Sequence, residues 1–226
     1  MIPRSIRVIS FDAGGTLLTP FPSVGSVYAA GARAVGLGEC DPDELNSRFA
    51  AAWHRSDGFD YSRPAWSGLV ADTFRGLVTD PESPELFRHL YDRFSQAAAW
   101  RIYSDVLPTL RGLRAAGFRL VVASNWDERL IPLFVALGLA PEFEWVAASA
   151  QVGFHKPDRR FFDAITRHLG ISADAILQVG DQWREDVEGA QLAGWSAVYL
   201  SRRPKSSPGP NTIHSLTELL PEEEAD

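Results

Sequence analysis

The sequence predicts an α/β fold, a parallel sheet covered by helices on both faces, with a small all-helical module inserted after the first strand. Three observations predict it. A short apolar run at 8–11 is cut off by Gly14 and Gly15, which is typical of a buried strand. Residues from about 23 to 100 show helical spacing without alternating strands. From residue 104 onwards, strands and helices alternate.

The inserted module is expected to contain about four helices, the first over residues 24–35. Asp41 and Pro42 form an N-cap and a first-turn proline for the second helix, and Ser83 and Pro84 do so for the fourth. The apolar stripes are Leu45, Phe49 and Trp53; Trp66, Leu69, Val70, Phe74 and Leu77; and Leu86, Leu90, Tyr91 and Phe94. Helices packed through such stripes form a bundle, which cannot be part of the parallel sheet.

The remaining chain is predicted to form the sheet and the helices that cover it. Strands are expected at 118–124, 143–148, 175–179 and 197–200, and helices at 106–116, 130–137, 158–169, 184–192 and 215–220. A loop rich in Pro, Ser and Gly covers 201–211, and the acidic end is expected to be a solvated tail. Because the first strand has no partner nearby, it must join this sheet. Residues 1–19 and 103–226 therefore form the predicted core, and residues 20–102 the insertion.

The composition narrows the classes of partner and compartment. The net charge is −7 and the isoelectric point is near 5.3, which argues against nucleic acid or an anionic membrane as the main partner. Cys40 is the single cysteine, so no internal disulfide can form. No stretch has the length and apolarity of a signal peptide or a membrane span. We therefore expect a cytoplasmic protein; its oligomeric state is not predicted.

Polar side chains follow the strands of the predicted sheet at one edge. Asp12 follows the first strand, Ser124 and Asn125 follow the second strand of the core, and Asp181 follows the strand ILQVG. Lys156 lies in the loop GFHKPD, and Asp186 comes shortly after Asp181. The carboxyl ends of parallel strands meet at a single edge, so these residues are expected to form one site. Taken alone, Asp12 could equally open a glycine turn.

This set of residues suits phosphoryl transfer through a carboxylate. Asp12 and Asp181 are hard oxygen ligands for Mg²⁺, and Asp186 can bind a metal water or hold Lys156. Positive charge offsets the phosphate, so Asp12 can attack phosphorus and form an aspartyl phosphate that water cleaves. Ser124 and Asn125 are expected to donate hydrogen bonds to the transferring group.

The use of lysine supports a role for Lys156. Of 22 basic residues, only Lys156 and Lys205 are lysines. A compact ammonium suits a single phosphate oxygen better than a planar guanidinium does. Chance placement beside a proline turn is the plainer alternative.

Four segments together resemble the motifs of the haloacid dehalogenase-like (HAD) hydrolase superfamily: ISFDAGGTLL, VVASN, HKPD and GDQWRED, in that order. The chain looks closest to the domain-containing-3-type branch, whose cap has sequences similar to FPSVGSVYAAGARAVGL and SRPAWSGLVADTF. The resemblance implies a Rossmann-like core, a helical C1-type cap over residues 20–102, an Asp nucleophile, and Mg²⁺ as cofactor. It implies a hydrolase, most often acting on phosphate esters, here a small phosphorylated metabolite.

One departure from the family concerns Gly14. HAD phosphatases carry a second Asp at this position, two residues after the nucleophile, as general acid and base. Gly14 can offer Mg²⁺ its backbone carbonyl but cannot transfer protons. General acid catalysis is worth about 10²- to 10⁴-fold, so slow turnover of alkyl esters is expected, with less effect on aryl or acyl phosphates.

Two other functions remain open. A metal-free dehalogenase would have Tyr in place of Gly14 and Asn in place of the metal-binding Asp, and this chain has neither. The alternative outside catalysis is a HAD scaffold that serves as a binding protein. Weaker candidates for substrate specificity are Trp126, Trp183, Arg55 and Arg63, with packing at the rim an equal alternative for the two tryptophans.

Overall fold

The computed structural model describes residues 2–56, 58–202 and 211–221. The chain divides into two compact units. The core unit is Met1–Leu18 with Ile102–Asp226, and the helical unit is Thr19–Arg101. Within the described residues, no helix has the length and apolar character needed to pass through a membrane.

The core unit is built on a six-stranded sheet. The strands of the chain are β1 (Val8–Phe11), β2 (Leu18–Pro20), β3 (Trp100–Ile102), β4 (Arg119–Ser124), β5 (Trp145–Ala148), β6 (Ile176–Gly180), β7 (Ser196–Leu200) and β8 (Thr212–Ile213). The sheet has the order β5-β4-β1-β6-β7-β8, and every neighbouring pair is parallel. The predicted α/β parallel fold is therefore confirmed, and β1 lies between β4 and β6.

Helices of the core unit cover its sheet on both faces. The helices of the described chain, those of the helical unit included, are α1 (Val24–Ala34), α2 (Pro42–Arg55), α3 (Arg63–Phe74), α4 (Pro84–Arg93), α5 (Val106–Ala115), α6 (Leu130–Ala136), α7 (Ser149–Val152), α8 (Arg159–Leu169) and α9 (Gly189–Leu192), with a π-helix at Trp183–Glu188. All four residues of β1 are buried, although successive side chains point to opposite faces. Val8 belongs to a cluster with Phe161 and Phe162 of α8, whereas Phe11 contacts Phe143.

The helical unit contains the four expected helices. Side chains of Asp41 and Ser83 cap α2 and α4, and Pro42 lies in the first turn of α2, as the sequence predicts. A Cβ added to Gly25 would lie 1.9 Å from the carbonyl oxygen of Pro42, so α1 and the start of α2 pack together only because this residue is glycine. Tyr28 stacks on Phe74 with ring centroids 5.5 Å apart. That this unit acts as a cap stays a prediction.

Several boundaries differ from the expectations. Leu77 lies beyond the end of α3, and the helix expected at 184–192 is a π-helix followed by α9. The segment expected as a helix at 215–220 is a 3₁₀ turn, Leu216–Leu219. β2, β3 and β8 were not predicted, because runs of two or three residues carry too little periodicity. Residues 203–210, including Lys205, and the acidic end at 222–226 lie outside the described residues.

Candidate active site

Neighbouring strands bring the predicted site residues together. Asp12 follows β1, Ser124 ends β4, and Asp181 follows β6, and these three strands are adjacent in the sheet. Lys156 comes from the loop before α8, and Asp186 comes from the π-helix. Parallel strands end at the same edge, which explains how residues far apart in sequence meet in one place.

A single buried ammonium links two carboxylates in this site. Lys156 Nζ lies 2.8 Å from Asp12 Oδ1 and 2.5 Å from Asp186 Oδ1, and its side chain is only 1% exposed. Ser124 Oγ also donates to Asp12 Oδ1, at 2.9 Å. Burial by itself lowers the pKa of Lys156, but the charges of both carboxylates and their hydrogen bonds raise it above its ordinary value. Lys156 therefore stays charged and orients Asp12.

Three carboxylates crowd around this one ammonium. Asp12, Asp181 and Asp186 each offer an oxygen, and these oxygens lie within 4.8 Å of one another. Burial raises the pKa of Asp181 to about 7, and the charges of Asp12 and Asp186 act in the same direction. Asp181 is therefore protonated more readily than an ordinary aspartate when no cation is bound. An all-oxygen donor set of this kind fits a hard divalent cation such as Mg²⁺.

Two glycines make room for the carboxylates. A Cβ on Gly15 would lie 2.3 Å from Asp181 Oδ2, and Gly15 has a φ of +79°, in the left-handed region that glycine adopts without strain. A Cβ on Gly180 would lie 2.1 Å from Asp186 Cγ. Both backbones therefore approach a site carboxylate more closely than any other residue type would allow.

Polar residues that the sequence analysis did not select hold the carboxylates in place. Gln178 Nε2 donates to Asp186 Oδ1 at 2.8 Å, and the backbone N–H of Gln182 donates to Asp186 Oδ2 at 3.1 Å. Thr16 Oγ1 donates to Asp181 Oδ1 at 3.3 Å. Gln178 is fully buried within β6, and a polar residue inside an apolar strand is a signal that could have identified it.

Asn125 contacts Lys156 and Glu185. Its amide hydrogen-bonds the backbone of Lys156 and the side chain of Glu185, and donation to a transferring group stays a prediction. Burial raises the pKa of Glu185 to about 7, although the charge of Lys156 acts in the opposite direction. Glu185 is thus a fourth carboxyl near the site.

Gly14 lies against an aromatic ring. A Cβ added there would be 3.3 Å from Trp126 Cζ3, which is tighter than ordinary van der Waals contact. The backbone N–H and carbonyl of Trp126 are both hydrogen-bonded to Ser149 Oγ, at 3.0 Å each. Trp126 therefore borders the space into which an acid at position 14 would extend. The Gly14 carbonyl as a metal ligand stays a prediction.

Two of the other three specificity candidates, Trp183 and Arg63, contact aromatic rings. Trp183 is 42% exposed, donates from Nε1 to Glu188 Oε1 and meets Tyr199 edge-on. Arg63 lies over the ring of Tyr91 at 4.4 Å, within the helical unit, and Arg55 is exposed at the end of α2. Their roles in specificity stay predictions.

The parallel sheet with carboxylates gathered at the ends of its central strands is the arrangement of a hydrolase class built on an α/β core. The chain belongs to the haloacid dehalogenase-like hydrolase family, which matches residues 6–194. The recognition made from the motifs is therefore confirmed.

Relatives and solved structures agree with this assignment. The chain is 31% identical over 235 residues to haloacid dehalogenase-like hydrolase domain-containing protein 3 of Homo sapiens, covering 96% of this chain and 93% of that protein. It is 30% identical to a phosphoglycolate phosphatase of Vibrio cholerae, covering 84% and 82%. A crystal structure of a HAD phosphatase from Thermococcus onnurineus is 26% identical with a TM-score of 0.69, covering 95% and 96%.

Proposed function

We propose that this protein is a magnesium-dependent phosphatase that acts on a small phosphorylated metabolite through a covalent aspartyl phosphate on Asp12. The observation that carries the proposal is the buried Asp12 carboxylate, to which Ser124 and Lys156 both donate, inside a cluster with Asp181 and Asp186. The names of the relatives from Vibrio cholerae and Thermococcus onnurineus support phosphate chemistry.

Each residue has a defined part in the reaction. Mg²⁺ held by Asp12, Asp181 and Asp186 would supply positive charge that offsets the charge of the phosphoryl group. A carboxylate oxygen of Asp12 forms a bond to phosphorus while the bond from phosphorus to the leaving oxygen breaks. Water then attacks the aspartyl phosphate at phosphorus, which releases inorganic phosphate and restores Asp12. Lys156 keeps Asp12 oriented and compensates negative charge at the phosphoryl oxygens.

Gly14 limits the leaving groups that this site handles well. Because Gly14 has no side chain, position 14 supplies no group that can protonate a departing alkoxide. The aryloxide of an aryl phosphate and the carboxylate of an acyl phosphate are weakly basic leaving groups, so these substrates depend less on that proton. We therefore propose that turnover is faster on such substrates than on alkyl phosphates.

The proposal is tested with a broad panel of alkyl, aryl and acyl phosphates in the presence of Mg²⁺. We expect phosphate release that is abolished by chelation with EDTA and by Asp12→Asn. Intact-protein mass spectrometry after acid quench should detect one added phosphoryl group on the wild type. Asp163→Asn, which changes an exposed carboxylate on α8 that pairs with Arg159, is the matched control and should keep full activity.

Each alternative function gives a distinct result. Release of halide from 2-haloacids that survives chelation would indicate a metal-free dehalogenase. Tight binding of a phosphorylated ligand without any Asp12-dependent turnover would indicate a binding protein on a HAD scaffold. Either result would contradict the phosphatase proposal.

A further inference from the structure

Lys156 is held at its backbone as well as at its ammonium. Its N–H donates to Asn125 Oδ1 at 2.7 Å, and Asn125 Nδ2 donates back to the carbonyl oxygen of Lys156 at 2.9 Å. The amide of Asn125 thus makes two hydrogen bonds to the backbone of Lys156, one to its N–H and one to its carbonyl. Asn125 is 8% exposed and Lys156 is 1% exposed, so neither bond is weakened by competing solvent.

Glu185 determines which way the amide of Asn125 faces. Its Oε2 accepts from Asn125 Nδ2 at 3.0 Å, so the amide nitrogen donates to both Glu185 and Lys156. If the amide were rotated by half a turn, its oxygen would face the carboxylate of Glu185 and the carbonyl of Lys156. Its NH₂ group would then face the N–H of Lys156. Three hydrogen bonds would become three repulsive contacts, which a buried site does not tolerate.

We propose that Asn125 and Glu185 are positioning residues that place Lys156 relative to Asp12. The chain of contacts runs from Glu185 to the amide of Asn125, to the backbone of Lys156, and from its Nζ to Asp12. The consequence for turnover rests on the proposed function, whereas the consequence for the Lys156 backbone does not. This positioning role differs from a direct role of Asn125 as a donor to the phosphoryl group. A direct donor needs a free amide hydrogen, whereas the amide nitrogen of Asn125 already donates to Lys156 and Glu185.

The expected effect is that of a supporting residue around a reactive group. Loss of such a partner typically lowers activity by about 10- to 100-fold, and we expect about 10-fold for Glu185→Ala. The loss should fall on kcat, because Lys156 is needed most when charge develops at phosphorus. Glu185→Gln keeps an oxygen acceptor for Asn125 and should retain most of the wild-type kcat.

The experiment compares Glu185→Ala, Glu185→Gln and Glu142→Ala. Glu142 is a matched control because its side chain is only 13% exposed and accepts a hydrogen bond from Arg114. It comes before β5, whereas the site residues follow the carboxyl ends of the strands. Hydrogen exchange of the Lys156 backbone N–H, measured by NMR, reports the position of Lys156 without reference to activity. We expect protection to fall in Glu185→Ala and to persist in the other two variants, each of which should unfold cooperatively.

The outcomes separate the positioning role from other roles. Unchanged protection of the Lys156 N–H in Glu185→Ala would overturn it, as would a Glu185→Gln variant as impaired as Glu185→Ala. Asn125→Ala should lower kcat and adding Glu185→Ala should lower it no further, since both act through one path. Additive losses would point to separate roles and overturn the proposal. If the wild type hydrolyses no phosphate, the proposed function fails, yet the exchange data still decide whether Glu185 positions Lys156.

Discussion

Asp12 and Gly14 are two residues apart in sequence, and together they define what this site can do. Asp12 is buried and oriented by Ser124 and Lys156, so its chemistry as a nucleophile is supported by its surroundings. Gly14 lacks any group that transfers protons, and Trp126 borders the space beside it. The proposed nucleophile is thus present at a site where the acid usual in HAD phosphatases is missing.

Restoring an acid at position 14 should raise the turnover of alkyl phosphates. Gly14 is outside the left-handed region, so the backbone accepts Asp, but its Cβ would lie 3.3 Å from Trp126 Cζ3. We expect Gly14→Asp to raise kcat about 10-fold, and Gly14→Asp with Trp126→Ala to raise it further within the 10²- to 10⁴-fold range of general acid catalysis. Steady-state kinetics on an alkyl and an aryl phosphate measure the effect.

The aryl phosphate serves as the internal control, because its leaving group needs little protonation. The ratio of alkyl to aryl turnover should therefore rise in the variants. An unchanged ratio in a correctly folded Gly14→Asp/Trp126→Ala protein would contradict the role assigned to position 14.

The π-helix after β6 is the element that delivers Asp186. Its i→i−5 bond runs from the backbone N–H of Gly189 to the carbonyl of Arg184, and the Asp186 side chain accepts from the Gln182 N–H. Gly180, at the end of β6, leaves the space that this side chain fills. Single π turns of this kind occur often at functional sites.

A methyl group at position 180 should disturb this element. In Gly180→Ala the added Cβ would lie 2.1 Å from Asp186 Cγ, so the carboxylate must leave its place beside Lys156. We expect a destabilisation of about 1–3 kcal/mol from overpacking, together with loss of activity. Urea denaturation and phosphatase assays measure the two effects.

Gly68→Ala is the matched control for that substitution. Gly68 lies inside α3, and nothing would lie within 4 Å of an added Cβ. Ala is favoured over Gly in a helix interior by about 0.5–1 kcal/mol, so this variant should be more stable than the wild type. A Gly180→Ala protein that also gained stability would contradict the close approach described above.

Asp105 ties the described C-terminal segment to the start of α5. Its carboxylate accepts from Arg202, from Ser215 Oγ and from the backbone N–H of Leu216. Burial by itself raises the pKa of Asp105, but these hydrogen bonds and the charge of Arg202 hold it below the ordinary value of 3.8. The ionised form is therefore preferred more strongly in the folded protein than in the unfolded chain.

This preference predicts how stability depends on pH. A carboxyl with a lowered folded pKa stabilises the protein above its unfolded pKa, and the contribution is lost as pH falls through the folded value. The difference in unfolding free energy between wild type and Asp105→Asn should thus be constant from about pH 7 to pH 5 and shrink below about pH 4. Urea denaturation across that range tests it, and a difference that grows with acid would contradict it.

For the molecule as a whole, the carboxylate cluster predicts that stability depends on cation binding. The folded site gathers Asp12, Asp181 and Asp186 around one ammonium, which the unfolded chain does not do. A cation that binds only the folded protein stabilises it by about 2.7 kcal/mol at 100 times its dissociation constant. Under the proposed function, Mg²⁺ should therefore raise the melting temperature of the wild type.

Asp181→Asn separates cation binding from a general salt effect. Without Mg²⁺ this variant should be at least as stable as the wild type, because it removes one of three mutually repelling carboxylates. Mg²⁺ should raise the melting temperature of this variant only slightly. Calorimetry with MgCl₂, and with NaCl at equal ionic strength as control, measures the difference; equal gains for both proteins would contradict a specific site.

The residues of β1 show how far local pattern predicts this fold. Val8, Ile9 and Phe11 come shortly before two glycines and predict a strand, because a short, mostly apolar run suits a sheet covered on both faces. The N-cap and proline pairs of α2 and α4 are equally local signals, since they act within one turn of helix. Short strands such as β8 lack enough residues to show a period.

Local sequence patterns were enough to predict the α/β class and the family. They also predicted that Asp12, Ser124, Lys156, Asp181 and Asp186 lie close together, because the strands of a parallel sheet end at the same edge. The contacts of these side chains became visible only in the folded protein. The amide of Asn125 faces Lys156 and Glu185, Gln178 supports Asp186, and Trp126 lies beside Gly14. Such contacts depend on distances between elements far apart in the chain, and no local pattern of residues encodes a distance.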